Sequence, residues 1–351
     1  MEKGYWKDYQ KAIATDNYFY ERSCIRQTFF PGSENAFIKI IREELGLKII
    51  DDKNLHTCSG IGYYSGIVPL ETTMTVIARL FSLMSETSSR NFVSSCVTSF
   101  GLINEVLDMW EHFPEKLEST RYYLKEATGR SFELPHNVAH SSDIIYLHRK
   151  ALKKKMIYSL VNKKTGEPLR VVEHIGCHYA KIFPQHGVGG AEFPQVLAGI
   201  IKEWGGQVID YPERRHCCGF GFRQYLIMAN RGYSIANSKK KFESMKPYKP
   251  DFIISNCPGC SMFMDRWQYT IAEMEGVTYD DEQKGIPVLT YEELTGILLG
   301  YNPWELGLQL HQIQCEPLLD KIGIPYIIDK KYIGKSGKKL NHPLKPKNII
   351  A

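Results

Sequence analysis

The sequence predicts an α/β protein made of two pseudo-symmetric Rossmann-like halves. Each is expected to be a small parallel sheet flanked by helices, with cysteine groups at the C-terminal ends of strands. Three observations carry that expectation. Short β-rich runs alternate with segments of helical periodicity, and alternation of this kind implies crossover connections and a parallel sheet. The cysteine groups follow strand segments, where open α/β sheets gather their sites. Three cysteine landmarks also recur at a near-constant offset: 153 positions from Cys24 to Cys177, 159 from Cys58 to Cys217, and 161 from Cys96 to Cys257.

In the first half "YFYERSC" reads as a strand ending at Cys24, followed by a helix at "ENAFIKIIREELG" and a strand at "LKIID". "NLHTCSGIG" carries Cys58, "TTMTVIARLFSLMS" has helical spacing, and the strand "NFVSS" runs into "CVTSFGLINEVLDMW". From "ATGRSFELPHNVAH" through "RKALKKKMIYSLVNKKTGEP" the chain reads as a connecting region with its own helix. The second half repeats the plan. "PLRVVEHIGCH" is a strand ending at Cys177, and "EFPQVLAGIIKEWGG" (192–206) is a helix that stops on Gly205-Gly206. "QVIDYP" leads into "ERRHCCGFGFR", the helix "ANRGYSIANSKKKFESMK" follows, and the strand "DFIISN" runs straight into "CPGC" and the helix "SMFMDRWQYTIAEMEG". Two domains are therefore expected, residues 1–150 and 151–351.

Composition narrows the class. Hydrophobic residues make up 43% of the 351 and charged residues 24%, ordinary for a globular protein. No apolar run reaches the roughly 18 residues that a bilayer-spanning helix needs, and "MEKGYWKDYQK" does not read as a signal peptide, so a cytoplasmic location is expected. Seven lysines in the tail (Lys330, Lys331, Lys335, Lys338, Lys339, Lys345 and Lys347) account for the net charge of +5. Such a block reads as a solvated end or as an arm docking on an acidic partner. No basic stripe interleaved with aromatics appears elsewhere, so nucleic acid is not expected as a partner.

Nine cysteines without a secretory context point to metal binding or redox chemistry. In the second half, Cys177 is followed after 39 residues by Cys217-Cys218, and these after 38 more by Cys257-Pro-Gly-Cys260. Five thiols exceed what a tetrahedral zinc site uses, and thiolates are the usual ligands of iron–sulfur clusters. Adjacent cysteines can serve two different irons. Gly219 and Gly221 would let backbone N–H groups approach the cluster, and Arg214, Arg215 and Arg223 would offset its negative charge.

The run "GCH…HCCGFGF…NCPGC…MDRWQ" resembles the cysteine-rich CCG domain found in the B subunit of heterodisulfide reductase. That domain also occurs in related components of succinate:quinone reductases, glycolate oxidases and lactate-utilisation proteins. The resemblance covers most of the chain, since the B subunit has two such domains in tandem, and "IPVLTYEELTGILLGYNPWELGLQLHQI" is similar to its closing helix and the segment after it. It implies a non-cubane [4Fe–4S] cluster held by Cys177, Cys217, Cys218, Cys257 and Cys260. It further implies cleavage or formation of a disulfide there, and partners resembling the iron–sulfur protein and the flavoprotein of heterodisulfide reductase (its C and A subunits). The substrate would be a disulfide, a thiol or a persulfide-bearing sulfur carrier.

The first half departs from this pattern. "TCSG" leaves Cys58 beside Ser59, and "CVTS" leaves Cys96 with Ser99, so only Cys24, Cys58 and Cys96 remain. These suit a smaller cluster completed by His56, a serine or an external ligand; zinc; or no metal. His178 and His216 are candidates for hydrogen bonding to cluster sulfur or for proton transfer, and His186 with "GVGG" for a substrate entrance. Cys315 reads as a buried apolar thiol. Two other readings stay open: a non-catalytic protein passing electrons from a dehydrogenase to quinone, docked on the membrane periphery, and a zinc-bound structural protein.

Overall fold

The computed structural model describes residues 2–325, apart from 53, 56, 57, 59, 180–187, 191, 192, 221–230 and 281–284. His56, Ser59, His186, Gly187, Gly221, Arg223 and the tail lysines thus lie outside the described residues. Helix α1 (Glu2–Ile13) leads into β1 (Asn17–Glu21), whose last four residues are buried. Helices α2 (Cys24–Phe29) and α3 (Pro31–Lys39) follow, α3 running into a π-helical turn at Ile40–Glu44, and then β2 (Lys48–Ile50). Next come α4 (Ile61–Tyr64), α5 (Leu70–Ser85), β3 (Asn91–Ser94), α6 (Val97–His112) and α7 (Pro114–Thr128). Strand β4 (Asn137–His140) and α8 (Ser141–Lys153) close this half.

The second half contains β5 (Arg170–His174), α9 (Val196–Glu203), β6 (Gln207–Val208) and α10 (Arg231–Met245). It continues with β7 (Phe252–Ser255), α11 (Pro258–Glu275), β8 (Val288–Thr290), α12 (Tyr291–Leu298) and α13 (Glu316–Ile322). Local chemistry sets several of these ends. Proline sits in the first turn of α3, α7 and α11, where a missing N–H costs nothing. Glycine in the left-handed region terminates α7 at Gly129 and α11 at Gly276.

Among the described residues these strands form two four-stranded sheets, ordered β2-β1-β3-β4 and β6-β5-β7-β8, and every pairing in both is parallel. The same order twice is the expected pair of α/β halves. One expectation needs correcting: the supposed connecting region contains the fourth strand of the first sheet. Asn137–His140 pairs with β3 and ends in a capping box, in which the His140 ring accepts from Ser142 N–H while the Asp143 carboxylate accepts from His140 N–H. Its counterpart β8 ends the same way, on Thr290 and Glu293.

The halves pack reciprocally. Helix α8 of the first lies on α9 of the second, and α12 of the second lies on α3 of the first. Helix α11 packs on α2, with the Arg266 guanidinium 4.2 Å from the Phe29 ring centre. Gly101 on α6 in turn admits the His178 backbone: a side-chain carbon there would lie 2.9 Å from the His178 carbonyl oxygen. Each half thus presses the helix after its third strand against the first cysteine segment of the other. The C-terminal edges of the two sheets are thereby turned toward a common seam.

Candidate metal centre

Cys177 lies three residues beyond the end of β5, and its position is tied to Cys257. Gly176 N–H donates to Asn256 Oδ1 at 2.9 Å, and a side-chain carbon on Gly176 would come within 2.7 Å of Cys257 Cβ. Glycine is therefore required by close approach. Cys257 is the N-cap of α11, its own N–H donating to Ser255 Oγ at 3.2 Å. Cys260 occupies the first turn of the same helix, where N–H groups and the helix dipole favour negative charge.

The Cys217-Cys218 loop is held by one face of α10. Ser234 Oγ donates to the Gly219 carbonyl at 3.0 Å and Ser238 Oγ to the Cys218 carbonyl at 2.6 Å. One turn further on, Lys241 Nζ donates to the carbonyls of Glu213, Arg214 and His216 at 2.8, 3.0 and 3.1 Å. Gly219 adopts φ +93°, a conformation that favours glycine.

These elements bring the five second-half cysteines to one cavity. Cys218 Sγ and Cys260 Sγ are 3.2 Å apart, well beyond the ~2.05 Å of a disulfide, and all nine cysteines of the chain are free thiols. His174 joins them, with a ring nitrogen and the Cys218 and Cys260 sulfurs lying within 4.8 Å of one another. Hydrogen bonds from the Cys177 and Cys218 thiols, with Gly219 N–H at 3.3 Å, pull the Cys217 thiol far down. The donors shift the opposite way: hydrogen bonding to Cys217, followed by burial for Cys177, pushes Cys177 and Cys218 up. Bonds to Cys218 and Cys257 raise Cys260. A thiolate at Cys217 thus keeps its donors protonated, and cations brought among the sulfurs would let the whole set ionise. A donor set of five thiols and one imidazole exceeds a tetrahedral zinc shell and fits a cluster of several irons.

Behind the loop, buried Glu173 is raised by burial and held in check by Arg214, which forms an ion pair with it. Arg215, His178 and His216 line the cavity. So do Ile61, Tyr64 and Thr98 from the first half. The Tyr64 hydroxyl donates to Glu105 at 2.9 Å, and its ring lies 4.2 Å from the His178 ring.

Cys24, Cys58 and Cys96 line an adjoining cavity with Ser99, Gly259 and Phe220. Ile61, Thr98 and Phe220 wall both cavities. A hydrogen bond from Cys24, assisted by the N–H groups of Ile61, Gly60 and Gly62, lowers Cys58 and raises Cys24. Cys96 caps α6 as Cys257 caps α11, and its thiol is pushed up to about 12 by burial and by the nearby Cys257. The two sets abut at the seam. Cys315 is elsewhere, buried at the start of α13.

The sequence reading assigned no role to His174, Ser234, Ser238, Lys241 or Tyr64. Spacing offered a signal for three of them: Ser234, Ser238 and Lys241 recur at intervals of four and three on one helix face.

Comparison with known proteins fits this geometry. The family model described as a cysteine-rich domain, CCG, matches residues 171–265. The B subunit of a ferredoxin/F(420)H(2)-dependent CoB-CoM heterodisulfide reductase of Methanosarcina acetivorans is 27% identical over 86% of this chain and 95% of its own length. The B subunit of a ferredoxin:CoB-CoM heterodisulfide reductase of Methanosarcina mazei is 26% identical over 85% and 94%. The membrane anchor subunit of the 8-methylmenaquinol:fumarate reductase of Wolinella succinogenes is 24% identical over 83% and 98%. A hypothetical protein from Helicobacter pylori superposes with a TM-score of 0.60 at 14% identity, over 88% of this chain and 57% of that one, a likeness of fold.

The chain is thus a cysteine-rich α/β protein carrying a CCG domain. More particularly, it is a protein similar to the B subunit of heterodisulfide reductase.

Proposed function

We propose that the chain is the iron–sulfur redox subunit of a heterodisulfide reductase-like complex, with Cys177, Cys217, Cys218, Cys257 and Cys260 holding a non-cubane [4Fe–4S] cluster. The observation that carries this reading is five free thiols around one cavity, with two sulfurs 3.2 Å apart and unbonded. Such a cluster supplies one-electron steps and iron sites for sulfur. The reaction is reduction of a disulfide by two electrons and two protons to two thiols, or the reverse oxidation of thiol or persulfide sulfur. Electrons come from, or pass to, an iron–sulfur partner resembling the C subunit of heterodisulfide reductase, with a flavoprotein resembling its A subunit beyond.

The chain's own residues do the rest. The peptide groups around Cys217 are immobilised by α10, so the thiols are preorganised. His178, His216 and Tyr64 line the cavity and are the groups that give or take the two protons. Ile61, Thr98 and Phe220 keep the wall between the two cavities apolar. In the first half, Cys24, Cys58 and Cys96 hold a smaller cluster or zinc, with fewer protein donors. The domains are residues 1–150 and 151–351, with α8 spanning the junction. The location is cytoplasmic, in a complex.

A second reading, electron transfer toward quinone without catalysis, draws support from the similarity to the membrane anchor of a fumarate reductase. Among the described residues no helix is long and apolar enough to cross a membrane, so docking would be peripheral. Electron paramagnetic resonance of the oxidised protein, recorded with and without a small thiol, separates the two. A new signal on thiol addition supports sulfur chemistry at the cluster. Iron present with a spectrum indifferent to thiol moves the assignment to the relay.

A further inference from the structure

Lysines 239, 240 and 241 are consecutive on α10 and do different things. Lys239 pairs with Glu275 and Lys240 with Glu213, both at the surface. Lys241 turns inward and is fully buried. Its three ammonium hydrogens find three carbonyls, those of Glu213, Arg214 and His216, which satisfies every donor it has. Tyr211 lies alongside, its ring centre 5.1 Å from Nζ. Hydrogen bonds do not cancel the charge, and an uncompensated buried ammonium is costly. Among the described residues no carboxylate oxygen lies within ion-pair distance of Nζ. Through the His216 carbonyl, Nζ instead sits one residue from the Cys217-Cys218 pair, whose sulfurs carry negative charge when they hold metal. Burial draws the ammonium down to about 7, and the groups that push back are first Cys218, Cys260 and Cys217, and only then Glu213.

We propose that Lys241 is a positioning residue of the second-half cysteine centre, fixing the backbone just ahead of Cys217-Cys218 and supplying the buried positive charge that offsets its sulfurs. The inference rests on the functional reading above for its second half only. A positive charge held near an anionic metal–thiolate centre favours the reduced, more negative state, so Lys241 raises the centre's reduction potential. The pin itself is a property of the polypeptide and holds without metal.

Two measurements test the two halves separately. In metal-free protein, amide exchange at residues 213–219 should quicken about tenfold or more in Lys241→Met. The surface variant Lys240→Met should leave it unchanged. In iron-loaded protein, potentiometric titration followed by electron paramagnetic resonance should give a more negative midpoint in Lys241→Met and Lys241→Gln. Lys241→Arg, which keeps the charge, should stay closest to wild type. Unchanged exchange in Lys241→Met would overturn the pin. Full iron with an unchanged midpoint in both neutral variants would overturn the charge role. Should the neutral variants fail to fold, Lys241→Arg decides: a midpoint near wild type supports the charge role, and a large negative shift overturns it. Wild-type protein without iron would remove the functional reading and the charge role together, while the exchange result still judges the pin.

Discussion

His311 shows how a single buried residue couples this fold to pH. Its ring packs against Phe30, and Nε2 lies 3.1 Å from Glu293 Oε1, the carboxylate of the α12 capping box. Burial pulls the imidazole down, but the charge and hydrogen bond of Glu293, together with Asp265, outweigh it and bring the group up to about 9. Because the folded value lies above the unfolded ~6.5, the charged form stabilises the fold fully below about pH 6.5. That contribution is lost as pH rises toward 9. In metal-free protein buried Lys241, drawn down to about 7 by burial, works in the opposite sense, since above that pH its neutral form prevails only in the folded chain. The informative quantity is therefore the stability difference between wild type and His311→Gln. Urea denaturation of metal-free protein should show that difference shrinking by about 3 kcal/mol between pH 6 and pH 9. A difference independent of pH would mean that the fold does not favour the charged form of His311.

At the scale of elements, the two halves are joined by polar contacts that only tertiary structure creates. Arg26 on α2 is fully buried, donating to Glu292 Oε2 on α12 at 2.5 Å, to the Ser95 carbonyl at 2.9 Å and to Ser33 Oγ at 3.2 Å. Across the pseudo-symmetry Tyr179, two residues after Cys177 as Arg26 is after Cys24, hydrogen-bonds to Asp143 on α8. Arg26→Met leaves the Glu292 carboxylate buried without its partner and should cost about 3–5 kcal/mol in urea denaturation. The double variant Arg26→Met/Glu292→Met should recover most of that loss, and a cost under about 1 kcal/mol for the single variant would show that the pair is not buried in solution. Neither contact was legible in the sequence, because partners 266 and 36 positions away leave no local signal. The cysteine-bearing strands were legible: β-rich runs such as "DFIIS" lead straight to a thiol, and the recurrence of three such ends exposed the duplication. Strand β4 was not, since "NVAH" is too short to show a period, and only its parallel pairing with β3 makes it a strand. Likewise β6 keeps just two ladder residues of the predicted "QVIDYP", because the chain must leave the sheet to present the cysteine pair. The serines of α10 act on backbone carbonyls, which any loop sequence possesses, so their targets could not be named in advance.

For the whole molecule, two matched α/β halves meet along their strand ends, and the seam holds two cysteine sets of unequal size. Five thiols and His174 surround one cavity and three thiols surround its neighbour, with Ile61, Thr98 and Phe220 between them. Where the second half has Cys260, the first has Ser99, in the corresponding turn of its helix. The fold is therefore symmetric while the donor sets are not, and the second half is expected to hold the larger centre by itself. The most direct measurement is iron and acid-labile sulfide per chain in anaerobically purified protein, for wild type, for the triple variant Cys24→Ser/Cys58→Ser/Cys96→Ser, and for Cys218→Ser. About four irons retained in the triple variant, and lost in Cys218→Ser, is the predicted result. Zinc without iron in the wild type, or iron that survives Cys218→Ser and disappears with the first-half cysteines, would contradict it.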